Sequence, residues 1–153
     1  MTASGSITVE RMDGPTAAHA EPAFRLVYAE AFAEPPYNET PDSVEATFRR
    51  FRSQVRKATF RAALARTAGG EPVGIAYGYP LGPTTGWWAH LATPVSDDLQ
   101  REDGNRSFGL LELAVRAPWR RLGAARRMHE ALLAGAREEQ VLLKARPVNV
   151  KRT

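Results

Sequence analysis

The stretch Leu111-Glu-Leu-Ala-Val-Arg-Ala-Pro-Trp-Arg-Arg-Leu-Gly-Ala-Ala-Arg-Arg-Met-His-Glu-Ala-Leu-Leu133 constrains the fold of this chain more than any other. A buried strand, a tight basic turn and an amphipathic helix follow one another within it. Five arginines and no acidic residue fall between Arg116 and Arg127. The first turn of a helix presents backbone amides without intrahelical acceptors, and its dipole end is positive. Arg120 and Arg121 at that end make the segment a seat for a phosphate or a diphosphate. The pattern predicts a strand over Ser107–Arg116, a helix from about Leu122 to Glu138 and a further strand over Gln140–Arg146. A crossover of this kind is right-handed and places its two strands parallel.

Upstream, Ile7-Thr-Val-Glu-Arg11 alternates like a short strand, and Asp13-Gly14-Pro15 is expected to break it. Pro22 suits the first turn of a helix running to about Phe32. Thr40 is a good N-cap and Pro41 a good first residue for a helix to about Lys57. Val44, Phe48, Phe51 and Val55 form its apolar stripe. Its basic residues Arg49, Arg50, Arg52, Arg56 and Lys57 read as a solvated face. Phe60–Arg66 and Val73–Tyr79 read as strands of a hairpin joined through Gly69 and Gly70. Gly74 and Gly78 within the second strand point to a bulge or a close backbone approach. Pro80 to Arg106 is irregular. The resulting order, β-α-α-β-β-β-α-β, is a mixed α+β sheet with helices on both faces.

At 153 residues the chain is sized for one domain over 1–153, with about 1–6 and 148–153 expected to be flexible. It has no cysteine, which excludes disulfides and thiolate catalysis. His19 and His90 lack acidic partners at ligand spacing, so no metal site is expected. No apolar run approaches the ~20 residues that span a bilayer. Nor does the N-terminus have the basic-then-apolar pattern of a signal peptide, so a cytoplasmic location is expected. The net charge of +4 and pI of 9.8 leave nucleic acid open as a partner. The charged faces of the 41–57 helix carry no interleaved aromatic residue for base stacking, which argues against it.

The turn itself, Arg120-Arg-Leu-Gly-Ala-Ala125, fits Arg/Gln-x-x-Gly-x-Gly/Ala. Gly123, Ala124 and Ala125 leave no bulk where backbone must approach phosphate oxygens. The amides from Arg121 to Arg126 can converge on one anion. With its preceding strand, Glu112-Leu-Ala-Val-Arg-Ala-Pro-Trp-Arg-Arg-Leu-Gly-Ala-Ala-Arg-Arg-Met resembles the main cofactor motif of the GNAT superfamily of acyl-CoA-dependent N-acetyltransferases. The order of elements over residues 7–146 is similar to that family's too. The resemblance implies that the fourth and fifth strands splay apart around the pantetheine arm of acetyl-CoA. It implies that Leu113, Ala114 and Val115 offer backbone groups to the arm. Arg120, Arg121, Leu122, Gly123, Ala124, Ala125 and Arg126 would then cradle the diphosphate. The turn after Pro118 is one residue tighter than in many members, and Leu122 stands where a polar residue is frequent. Members continue past the fifth strand with a helix and two strands, and that helix carries a tyrosine that protonates the departing thiolate. No tyrosine follows Tyr79 here, so the chain is expected to be a C-terminally truncated form of the fold.

The resemblance implies transfer of acetyl from acetyl-CoA to a primary amine. Glu112, on an otherwise apolar strand, is the candidate base, and burial would raise its pKa. Its structural alternative is an ion pair with a nearby arginine. Tyr28, Phe32, Tyr37, Trp87 and Trp88 are candidates for the acceptor site, and each is also a candidate for core packing. His129 reads as a half-buried, hydrogen-bonded residue of the last helix. Two other readings stand beside the enzyme. One is an impaired remnant of the fold with a weak CoA site and an exposed strand edge that favours a homodimer. The other is a small basic nucleic-acid-binding domain using arginines of 49–61 and 116–127.

Overall fold

The computed structural model describes residues 7–82, 107–134 and 140–143. Trp87, Trp88 and His90, the strand residues 144–146, and the ends 1–6 and 148–153 lie outside the described residues. Strands β1 (Thr8–Met12), β2 (Arg61–Arg66), β3 (Pro72–Pro80), β4 (Ser107–Val115) and β5 (Gln140–Leu143) form one sheet in sequence order. The first three pairings are antiparallel, and β4–β5 is parallel, as the crossover requires. Helices α1 (Gly14–His19), α2 (Glu21–Ala33), α3 (Pro41–Gln54) and α4 (Ala124–Leu133) complete the described elements. A 3-10 turn over Ala117–Trp119 joins β4 to the approach of α4.

Two cores flank the sheet. On one face α2 and α3 bury Phe24, Tyr28, Phe48 and Phe51 against Phe60, Ile75 and Tyr77. Phe51 makes an edge-on contact with Tyr77 at 5.2 Å between ring centroids. On the other face α4 buries Ala124, Met128 and Leu132, spaced by four, against Ala63, Val73, Ala76 and Phe108. Helices therefore cover both faces, as the sequence predicts.

Helix α3 starts as its sequence dictates. The Thr40 hydroxyl accepts the Ser43 amide at 3.2 Å, and the Ser43 hydroxyl accepts the Thr40 amide at 2.9 Å. Its stripe of Val44, Phe48 and Phe51 is buried, with Val55 buried just past its end. The helix stops at Gln54, three residues short of the expected Lys57.

Asp13-Gly14-Pro15 ends β1 after Met12, as expected, and then starts a short helix that the sequence reading lacks. The Asp13 carboxylate accepts the Thr16 amide at 2.9 Å, and Pro15 sits in the first turn, where its missing N–H costs nothing. The element order thus gains a short helix. A second correction concerns α4. It begins at Ala124, two residues later than expected, because Gly123 adopts a left-handed φ of 82° as its N-cap.

Candidate functional site

Strand β4 carries a bulge that decides which of its side chains face α4. Gly78 pairs with Leu110 and Tyr77 with Glu112, so Leu111 is the extra residue. Phe108 and Leu110 face the α4 side. Past the bulge the parity switches, and Leu113 and Val115 take up that side, while Leu111 and Ala114 join the opposite core. A regular strand would have turned Leu113 and Val115 away.

The partner strand sets a second feature. Within the described residues β5 pairs only with Ser107–Leu110 of β4. From Leu111 to Val115 no described strand lies on that side. This part of β4 borders a groove of about 450 Å³, within the range of small-ligand sites. Its walls are Leu113, Ala114 and Val115 from the strand, Trp119, Arg120 and Arg121 from the turn, and Gly123 to Arg126 from the start of α4.

Several residues of the turn and of the first turn of α4 that line this groove carry backbone amides without acceptors among the described residues. Arg121 and Gly123 both take positive φ, 63° and 82°. The left-handed conformation costs an arginine about 1–2 kcal/mol, whereas glycine takes it freely. No side chain caps α4. The first helical amide to find a backbone acceptor is that of Arg127, which donates to Gly123 at 3.0 Å. Among the described residues the amides of Ala124, Ala125 and Arg126 have no acceptor, and they lie at the positive pole of the helix. Helix N-termini of this kind suit anions.

The arginine cluster resolves into separate tasks. Arg116 is structural. Its side chain is only 14% exposed, it pairs with Glu30 and Glu71, donates to the Pro72 carbonyl and stacks on Trp119. Its hydrogen bond to Glu30, opposed by desolvation and aided by Glu71, raises its already high pKa. Arg120 donates to the Val115 carbonyl at 2.7 Å and pairs with Glu34 at 2.8 Å. Arg126 pairs with Glu130 along the helix, and Arg127 holds the Ile7 carbonyl. Arg121 alone of the five has no acidic or carbonyl partner among the described residues. The charges of Arg116 and Arg120 are thus answered by acids from Glu30, Glu34 and Glu71, which lie far away in sequence.

The structure therefore gathers nine of the predicted cofactor residues, Leu113, Ala114, Val115, Arg120, Arg121, Gly123, Ala124, Ala125 and Arg126, around one groove. Leu122 is not among its walls. It precedes the helix and is 36% exposed. Trp119 lines the groove although only its place in the motif pointed to it. Glu112 is half-buried at the bulge, one residue before the groove's strand wall. Tyr28 is fully buried and its hydroxyl bonds Glu39 at 2.7 Å and Thr47 at 3.0 Å. Phe32 is buried between the rings of Tyr28 and Tyr37. These three aromatics brace the segment after α2 instead of lining the groove. His129 is half-buried on α4.

Solved structures share this architecture. An aminoglycoside acetyltransferase from an uncultured soil metagenomic sample aligns with a TM-score of 0.57 at 21% identity, over 92% of this chain and 80% of its own. The ribosomal-protein-alanine N-acetyltransferase of Brucella melitensis biovar Abortus 2308 gives 0.53 at 18%, over 94% and 82%. The aminoglycoside acetyltransferase AAC(6')-Iy, in complex with a CoA-linked bisubstrate analogue, gives 0.53 at 16%, over 92% and 80%. The chain has the GNAT fold. No family model and no curated protein sequence matches it. Within this GNAT fold, no helix among the described residues is long and apolar enough to cross a membrane. The described residues also contain no cluster of three or more His, Cys, Asp or Glu side chains suited to a metal ion.

Proposed function

We propose that this protein is an N-acetyltransferase that moves acetyl from acetyl-CoA to a primary amine of a small molecule or peptide. One observation carries the reading. Among the described residues, the acceptor-free amides of Ala124, Ala125 and Arg126 belong to residues that line one groove with Leu113, Ala114 and Val115 of β4. A diphosphate suits the amides, and an extended amide-bearing arm suits the backbone of that strand wall. The GNAT fold and the amine acceptors named for its structural neighbours support the same chemistry.

In this reading a neutral amine attacks the thioester carbonyl. The C–N bond forms, the C–S bond breaks, and the thiolate leaves and takes up a proton. A strand β4 amide is the group proposed to steady the oxyanion. Glu112, at the bulge, is the group proposed to take the ammonium proton, directly or through water.

The test is titration calorimetry with acetyl-CoA, together with thermal denaturation. Ligand at a hundred times its Kd stabilises by about 2.7 kcal/mol. The variant Ala125→Asp separates binding from folding. An acid in the first turn favours a helix by about 0.3–1 kcal/mol, so the unliganded variant keeps its Tm. The same charge repels a phosphate about 4 Å away by roughly 4 kcal/mol at an effective dielectric of 20, so affinity falls at least a hundredfold. Equal affinity in the variant rules out this anion seat. Thiol release with a panel of amines then tests turnover. Binding without release sets aside the catalytic half of the proposal.

A further inference from the structure

Glu34 has no place in the motif that builds the groove, yet it reaches the groove's rim. It follows α2 directly, at its C-cap. The last turn of α2 contains no basic residue, and the helix ends in a negative pole with Glu30 and Glu34 beside it. The compensating cations come from the turn after β4. Arg116 takes Glu30, and Arg120 takes Glu34.

The Glu34 backbone is fixed before its carboxylate is used. Its carbonyl accepts the amides of both Tyr37 and Asn38 at 3.0 Å. The Glu39 amide donates to the Phe32 carbonyl at 2.8 Å, and the Glu39 carboxylate accepts the buried Tyr28 hydroxyl. Tyr37 packs edge-on against Phe32. The segment that carries Glu34 is thus tied down at both ends.

Arg120 is gripped from two directions. Its Nε donates to the Val115 carbonyl at 2.7 Å, and an Nη forms an ion pair with Glu34 at 2.8 Å. A hydrogen bond and an ion pair from different sides restrict how the guanidinium can turn. The remaining Nη has no partner among the described residues, and Arg120 itself lines the groove. The pair with Glu34 is neutral overall, so Arg120 brings direction more than charge. Arg121, without an acidic partner, brings the charge.

We infer that Glu34 is a positioning residue for the phosphorylated end of the donor. With the Val115 carbonyl it clamps Arg120 so that the free guanidinium edge meets the diphosphate. The inference rests on the CoA reading above and adds a residue outside the motif.

Its sign makes it testable. Coulomb attraction alone predicts that deleting a carboxylate near a diphosphate tightens binding. Positioning predicts the reverse. Calorimetry on the full chain would compare CoA with pantetheine, which lacks the phosphates, for the wild type, Glu34→Gln and Glu34→Asp. Glu34→Gln is expected to weaken CoA roughly tenfold, the scale of one charge-assisted hydrogen bond. Pantetheine binding stays within about twofold, and Glu34→Asp recovers part of the CoA loss. CoA bound equally or more tightly by Glu34→Gln overturns the inference while the CoA reading stands. An equal loss for both ligands also overturns it, because it marks a general structural effect. A wild type that binds neither ligand removes the CoA reading, and the inference with it.

Discussion

Gly78 of β3 lies so close to Gly109 of β4 that a Cβ on it would stand 2.1 Å from the Gly109 carbonyl oxygen. The same Cβ would come within 3.1 Å of the Leu110 Cα. Both contacts are backbone, so neither can move aside as a side-chain tip could. The approach sits next to the bulge at Leu111, and it holds the register that turns Leu113 and Val115 toward the groove.

Gly78→Ala is therefore expected to force β3 and β4 apart. Overpacking of this kind costs about 1–3 kcal/mol, visible as a lower urea midpoint. Gly82→Ala is the control, since nothing lies within 4 Å of a Cβ there, and it should fall within about 0.5 kcal/mol of wild type. Two variants of equal stability would refute the close-approach account.

Tyr28→Phe keeps the ring and removes the hydroxyl shared by Glu39 and Thr47. Leaving those groups without their buried partner costs about 1–3 kcal/mol. The expected result is a loss of stability with the acceptor KM unchanged, because the Tyr28 side chain has no exposed surface. An altered acceptor KM at unchanged stability would instead return Tyr28 to the acceptor site.

Asp13 makes a pH-dependent cap. Hydrogen bonds from Thr16, through its side chain and then its backbone amide, hold the Asp13 carboxyl below the ordinary carboxylate range. A depressed folded-state value means that the stabilisation is complete above the ordinary range. It is lost as pH falls through the depressed value. The Tm gap between wild type and Asp13→Ala should be widest at neutral pH and narrow as pH falls through the depressed value. Asp13→Asn retains an uncharged acceptor, so its gap from Asp13→Ala should persist in acid. A wild-type gap that does not change with pH would show that the carboxylate charge plays no part in the cap.

Local signals account for much of the structure. The Thr40 cap, the stripe Val44, Phe48 and Phe51, and the parallel β4–β5 crossover all follow from neighbours in sequence. Gly78 announced a close approach, though not which strand would supply it. The Asp13 helix was missed because Gly and Pro read as breakers, while the capping bond and the first-turn proline favour a helix. The last helix was expected to begin at about Leu122 because periodicity was carried back past Gly123, whose left-handed φ marks the true boundary.

The sequence by itself determined the donors of the site: a strand, small residues and a run of basic side chains ending at one helix N-terminus. Those properties depend on residues within a few positions of each other. Tertiary structure decided which charges remain available. Glu30, Glu34 and Glu71 converge on Arg116 and Arg120 only once α2 and the β2–β3 hairpin pack beside the turn, and Arg121, which lines the groove, has no acidic partner among the described residues. Charge compensation depends on separation in space, and separation along the chain says nothing about it. The bulge follows the same logic, because the side of the sheet that Leu113 faces is fixed by β3 pressing on β4.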